Sequence, residues 1–212
     1  MKFELIVDKI VTGPFQENTF IISSARSKHA LVIDPGDDEE LIVDFIETKK
    51  IKPLAILNTH AHLDHIGAVC KLKEQFSIPF YLHKKERMIL DNYEESCKLF
   101  GLTPKSKPAV DNWILDQKNL VFKEFEVRII NTPGHTPGGV CYEVDQHIFV
   151  GDTLFQGSIG RTDLPGGNLN ELKNSLLHII DTFSHEKTIH SGHGNDTKLK
   201  YELISNPFLN SI

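Results

Sequence analysis

Asn58-Thr59-His60-Ala61-His62-Leu63-Asp64-His65 is the stretch on which the reading of this chain turns. Three histidines and an aspartate fall within six residues, straight after the apolar run Leu54-Ala55-Ile56-Leu57. Each buried imidazole needs a partner, and a solvated surface has no reason to concentrate them. A structural role therefore suits a lone histidine better than this cluster. In an extended segment or turn, His60 and His62 point the same way and offer two imidazoles to one ion. Asp64 and His65 fall where the following helix begins, and a carboxylate is favoured at that positive end. Neighbouring side chains on a tightening backbone diverge, so this second pair aims at a different point. Two adjacent ions are expected.

Two ions need more donors, and three other places offer them: Pro133-Gly134-His135-Thr136-Pro137-Gly138, Val150-Gly151-Asp152-Thr153 and Ser191-Gly192-His193-Gly194. Each sets a ligand-type side chain just after a predicted strand, among glycines or prolines. Glycine lets backbone approach closely and adopt positive φ, which suits a rigid ligand loop. The candidate metal ligands are thus His60, His62, Asp64, His65, His135, Asp152 and His193. Asp64 is also the candidate catalytic residue, placed to orient a water or carry its proton.

Around these motifs, β-rich runs alternate with helical spacing. Strands are predicted at Phe3–Val7, Thr19–Ile22, Leu31–Ile33, Leu54–Leu57 and Pro79–Leu82, then at Leu120–Phe122, Val127–Ile130, Val140–Val144, His147–Val150 and Lys187–His190. Asp37 with Glu40 resembles a capping box opening a helix whose apolar face is Leu41, Ile42, Phe45 and Ile46. Ile66–Phe76 reads as one helix. Leu169, Leu172, Leu176 and Ile179 form a stripe at steps of three and four, and a short helix ends the chain. Lys84–Lys118, broken by Gly101, Pro104 and Pro108, is the least regular part. Strand ends carry an acid at Asp34 and again at Asp152, and a histidine at His60 and again at His190–His193. This echo suggests two βα halves whose strand ends meet at one edge, where open α/β sheets gather ligands.

Composition narrows the class. Apolar residues make up 40% and charged residues 25% of the 212, ordinary for a globular enzyme able to bury a real core. The net charge of −6 and the lack of a basic run give no reason to expect nucleic acid. Met1–Ile10 is too short and too charged for a signal peptide, and no segment approaches a membrane span. Cys70, Cys97 and Cys141 are odd in number and widely spaced, which fits reduced, mostly buried thiols in a cytoplasmic protein. With no proline- or serine-rich linker, residues 1–212 are expected to form a single domain.

The string His60-x-His62-x-Asp64-His65, with His135, Asp152 and His193 following in that order, resembles the metallo-β-lactamase superfamily over essentially the whole chain. The resemblance implies an α/β fold, a four-layer αβ/βα sandwich with the metals at the edge between the sheets. It also implies that His60, His62 and His135 bind one ion and Asp64, His65 and His193 the other. Asp152 would bridge them, with a water or hydroxide between as nucleophile. Imidazole and carboxylate donors suit zinc first, and iron and manganese as well.

Gly151-Asp152-Thr153-Leu154-Phe155, Gly160-Arg161-Thr162-Asp163, Pro165-Gly166-Gly167, Asn195 and Asn206-Pro207-Phe208-Leu209 resemble the glyoxalase II-like (hydroxyacylglutathione hydrolase-like) enzymes of the short single-domain bacterial type. That resemblance implies hydrolysis of a glutathione thioester such as S-lactoylglutathione, with Arg161 a candidate substrate contact. The longer glyoxalase II proteins add a C-terminal helical domain with glutathione contacts, for which this chain leaves no room, and a tyrosine of theirs appears here as Asp163. An Arg161–Asp163 ion pair is the competing role for Arg161. Persulfide dioxygenases of the same superfamily, with a single iron, also resemble the 160–163 segment and are the alternative. A lactonase, a β-lactamase and a non-catalytic metal-binding module rank behind both.

The remaining histidines, His29, His83, His147, His178, His185 and His190, lack a ligand pattern and are expected at the surface or in the core. Asp34 has two equal readings: a turn residue before Pro35-Gly36, or the holder of a ligand histidine. Trp113 and the phenylalanines are expected in the core, and Lys84 and Lys105 on a solvated face.

Overall fold

The computed structural model describes residues 4–212. Of the expected first strand, Phe3 lies outside the described residues. The described residues divide into two compact units, one running up to residue 82 and over 87–114, the other of residues 83–86 and 115–212.

The first unit is built on a six-stranded sheet in the order β1-β2-β3-β4-β5-β6. Strands β1 (Leu5–Thr12) and β2 (Glu17–Ser24) form an antiparallel hairpin in register from Leu5↔Ser24 to Thr12↔Glu17. β2 runs longer than the apolar pattern predicted, because Glu17, Asn18, Ser23 and Ser24 are buried in it despite their polarity, and β1 extends to Thr12 by pairing along its whole length. β3 (His29–Ile33), β4 (Lys52–Leu57) and β5 (Phe80–His83) then run parallel to one another. Parallel neighbours require crossovers, supplied by helix α1 (Glu39–Thr48) and by α2 (Leu63–Ile66) with α3 (Val69–Phe76). Helices α4 (Arg87–Asp91) and α5 (Tyr93–Leu99) and strand β6 (Asn112–Ile114) complete the unit. The order within Lys84–Lys118 exceeds the expectation, and the turnless stretch is confined to residues 102–110.

Three expectations are corrected here. The Asp37–Glu40 capping box does not form: the N-cap of α1 is Asp38, in the left-handed region at φ 46°, and its side chain makes no cap bond. The buried face of α1 is Ile42, Val43 and Ile46, while Leu41 is exposed. The single helix Ile66–Phe76 is two helices, with the Ala68 amide donating to the Pro35 carbonyl at 3.1 Å, and a Cβ on Gly67 would stand 2.3 Å from the Gly36 carbonyl oxygen. Burying side chains such as Ile42 and Ile46 stabilises the unit by about 1.5–3 kcal/mol each. They join Ile21, Val32, Ile56, Phe80 and Leu82 in its core.

The second unit has its own six-stranded sheet, in the order β14-β13-β10-β9-β8-β7. β7 (Asn119–Phe122), β8 (Phe125–Asn131), β9 (Val140–Val144) and β10 (His147–Gly151) form an antiparallel meander. A two-stranded ribbon, β11 (Leu154–Phe155) with β12 (Ser158–Ile159), follows. Helix α6 (Leu169–Thr182) then carries the chain across to β13 (Thr188–Ser191), which lies parallel to β10. β14 (Thr197–Lys198) and α7 (Leu199–Ser205) end the fold. The Asn168 side chain caps α6 by accepting from the Asn170 and Glu171 amides, an interaction of about 1 kcal/mol. Of the predicted stripe, Leu172, Leu176 and Ile179 pack against Ile130, Cys141, Ile148, Val150 and Ile189, whereas Leu169 is half-exposed. Phe15, Phe100 and Phe208 are likewise exposed rather than core residues, and Trp113 is only partly buried. Among the described residues, no helix is long and apolar enough to cross a membrane.

Candidate metal centre

In the first unit the parallel pair β3 and β4 ends level, with Ile33 opposite Leu57. Asp34 and Asn58 therefore leave the sheet side by side, and the histidine cluster begins at that edge. The turn from 58 to 65 is clamped from within: the Asn58 amide donates to the His65 carbonyl at 2.6 Å. His62 is the extended residue before α2, and Asp64 and His65 lie in its first turn, as the spacing predicts. The His60 ring lies 4.8 Å from that of His62 and 4.0 Å from that of His65, centroid to centroid. Asp64 Oδ2 is 3.9 Å from His65 Nε2.

Asp34 resolves its two readings. Its backbone takes φ 47°, a left-handed turn that Asp tolerates better than most residues. Its buried carboxylate accepts from the Thr59 amide and the Thr59 hydroxyl, each at 2.6 Å, and Oδ2 lies 3.2 Å from His65 Nδ1. One hydroxyl proton settles a tautomer. Thr59 gives that proton to Asp34, so at 3.0 Å it accepts from His60 Nδ1–H, which leaves the His60 lone pair on Nε2. Asp34 thus holds the cluster from behind, as ligand histidines require.

Glu17, which sequence reasoning passed over, is buried in the same corner. It accepts from the hydroxyls of Thr12 and Thr19 at 3.0 Å, and its other oxygen lies 3.8 Å from His65 Nδ1. Burial raises its pKa well above the usual carboxylate range, with the neighbouring His65 opposing that rise. Gly36 explains the Asp34-Pro35-Gly36 signal: a Cβ there would stand 2.0 Å from the Asp64 carbonyl oxygen and 2.4 Å from Glu17 Oε2. Only glycine admits that approach.

In the second unit, β10 and β13 also end level, with Gly151 opposite Ser191, and Asp152 and His193 follow those ends. His135 rides the connection between β8 and β9, whose ends pair Asn131 with Val140. Asp152 Oδ2 is 3.6 Å from both His135 Nε2 and His193 Nε2. Two donors at 2.0–2.1 Å from a tetrahedral ion would be about 3.3–3.4 Å apart, so Asp152 has close to ligand spacing with each histidine in turn. His135 Nδ1 contacts the Arg161 carbonyl oxygen at 2.8 Å. A carbonyl only accepts, so Nδ1 carries the proton and the lone pair is on Nε2, facing Asp152. In each unit the donors are nitrogen and carboxylate oxygen, with the tautomers of His60 and His135 set for a divalent cation, so the residues fit such an ion.

The loop of His135 has a second support that no motif announced. Glu86, buried in a single 3-10 turn at Lys84–Glu86, accepts from the Gly138 amide at 2.7 Å. A Cβ on Gly138 would stand 2.8 Å from both the Glu86 nitrogen and His83 Nδ1. His147 and His190 are not independent either: His147 Nδ1 and His190 Nε2 are 2.9 Å apart, and His190 Nδ1 lies 3.1 Å from Asp196. Arg161 forms a two-pronged pair with Asp163, both bonds 2.6 Å, on the surface. Cys97 and Cys141 are buried thiols and Cys70 is half-buried; burial pushes the Cys141 thiol up to about 12, which removes it as a nucleophile.

Two sheets flanked by helices, each with histidine and carboxylate donors at the ends of parallel strands, define a metal-dependent α/β protein. The Metallo-beta-lactamase superfamily model matches residues 12–193, and the chain belongs to that superfamily. It is 34% identical to the hydroxyacylglutathione hydrolase GloC of Haemophilus influenzae, over 97% of this chain and 98% of that one. Among solved structures, BLEG-1, a B3 metallo-β-lactamase, is 39% identical with a TM-score of 0.91, covering 96% of this chain and 99% of its own. TTHA1623 in a di-iron-bound form is 35% identical with a TM-score of 0.86, over 96% and 100%. The fold is therefore the expected one of this superfamily, mixed α/β with two β-sheets flanked by helices, and divalent metal ions go with it.

Proposed function

We propose that the chain, acting as one catalytic domain over residues 1–212, hydrolyses a glutathione thioester with two divalent ions, zinc foremost. His60, His62 and His135 would hold one ion, Asp64, His65 and His193 the other, and Asp152 both. Bound there, such ions supply Lewis acidity and lower the pKa of water from 15.7 toward about 7. Asp64, on the first turn of α2, orients the attacking water and takes its proton. Asp34 and Thr59 keep the imidazoles of His65 and His60 aimed, and the Arg161 carbonyl does the same for His135. Water adds to the carbonyl carbon, the C–S bond breaks, and the products are a carboxylic acid and a thiol. A thiolate leaves readily, so no dedicated strong acid is required.

The observation that carries this reading is a groove of about 460 Å³ in the second unit, whose lining includes Arg161, Thr162, Lys173 and Phe208. It brings two cationic side chains to the segment whose backbone already holds His135. Glutathione carries carboxylates that such a groove suits, and the likeness to GloC of Haemophilus influenzae points the same way. Three unpaired thiols fit a reducing, cytoplasmic setting.

The test is a metal analysis followed by three parallel assays on the same preparation: S-lactoylglutathione hydrolysis, chromogenic β-lactam hydrolysis, and oxygen uptake with glutathione persulfide. Two ions per chain with thioester turnover is expected. One iron with oxygen uptake, or β-lactam turnover without thioester turnover, would overturn the proposal.

A further inference from the structure

A separate cavity of about 90 Å³ opens in the first unit beside Asp64. Its walls include Phe15 from the turn between β1 and β2, Leu63 of α2, Tyr93 and Cys97 of α5, and Leu102. Phe15 is braced edge-on against Phe100, with ring centroids 5.6 Å apart. Tyr93, Cys97, Lys105 and Asp37 at the wall already have partners. The Tyr93 hydroxyl pairs with the Cys97 thiol and takes the Lys105 amide, and burial raises the pKa of both groups, so both are neutral. The Lys105 ammonium pairs with Asp37 and Glu39. The cavity therefore offers an anion no unmatched positive charge.

Size decides what fits. An apolar cavity of about 150 Å³ holds benzene, roughly 25 Å³ per non-hydrogen atom, so this one holds about three or four. We propose that the cavity is the subsite for the acyl substituent of the thioester, and that Phe15 and Leu102 set its length limit. A lactoyl group, with three non-hydrogen atoms beyond its carbonyl, fills such a space; a hexanoyl group overruns it. The proposal rests on the thioester reading and adds to it which end of the substrate lies next to Asp64.

The metal-loaded protein and its Leu102→Ala and Phe15→Ala variants would be assayed with S-acetyl-, S-lactoyl- and S-hexanoylglutathione. Excess methylenes in a fitted pocket cost roughly tenfold or more in kcat/KM. The unaltered protein should favour lactoyl over hexanoyl by at least that factor, and either variant should shrink the ratio about fivefold or more. Phe15, at an exposed hairpin tip, keeps the test open should Leu102→Ala fail to fold. A ratio unchanged in the folded variants overturns the subsite while the thioester reading stands. An absence of turnover with all three thioesters defeats that reading and the subsite together.

Discussion

Asp34 Oδ2 and His65 Nδ1 lie 3.2 Å apart, and both residues are buried. The same carboxylate binds Thr59 twice, and Thr59 in turn fixes the His60 tautomer. One buried charge therefore orients two candidate ligands that sit five residues apart in the chain. Asp34→Asn keeps the shape and removes the charge. Loss of such a partner weakens metal binding by roughly 10–100-fold. Competition against a chromophoric chelator measures it, and an unchanged affinity would show that Asp34 is only a turn residue.

Gly36 packs where no side chain can go. In Gly36→Ala the new methyl must displace the Asp64 backbone or the Glu17 carboxylate. The expected cost is about 2 kcal/mol or more in stability, with reduced metal affinity as Asp64 shifts. Gly101→Ala is the control: nothing lies within 4 Å of its Cβ position, and only the strain of φ 73° remains, about 1 kcal/mol. Denaturant midpoints compare the two, and equal losses would refute the close-approach argument.

Arg161 and Asp163 pair on the surface, and the pair holds the Asp163 carboxyl down at about 2. A substrate carboxylate reaching Arg161 has to compete with that partner. Asp163→Asn should lower KM for an anionic thioester by roughly two- to fivefold, and Arg161→Ala should raise it by a similar factor. Both effects should shrink as salt is added. A KM indifferent to both substitutions removes Arg161 from substrate binding.

His147 donates to or accepts from His190 in a half-buried position, and burial, helped by His190, lowers its pKa. The native state thus keeps His147 neutral, while the unfolded chain takes up a proton near the ordinary value of 6.5. Its share of stability is complete above about pH 6.5 and is lost as pH falls toward the lower native value. In the metal-free protein, His147→Gln should flatten the fall of the unfolding midpoint between about pH 7 and 5. Parallel curves for variant and parent would contradict this.

The histidine cluster, the glycine-flanked ligand loops and most strands were legible because each rests on local chemistry. Donor spacing and period-two burial are written in neighbouring residues, and both six-stranded sheets carry the strands those patterns predict. What was misread shares a cause. The capping box at Asp37 has the right residues, but Asp38 adopts a left-handed turn and Asp37 is drawn to Lys105. The split at Gly67 and Ala68 goes with the Pro35 carbonyl, remote in the chain, which takes the Ala68 amide. The contacts of Glu17 with His65, of Glu86 with Gly138 and of His147 with His190 carry no motif, since the partners are remote in sequence.

The sequence by itself determined the superfamily and the donor types, because six residues with that spacing admit few chemistries. Only the tertiary structure decided which ring nitrogen of His60 and of His135 keeps its lone pair. That choice depends on where the single protons of Thr59 and His135 go, and hence on Asp34 and the Arg161 carbonyl being brought alongside. The parallel pairing of β3 with β4, and of β10 with β13, levels strand ends far apart in the chain, so that side chains with no local relation come within hydrogen-bonding and ligand distance.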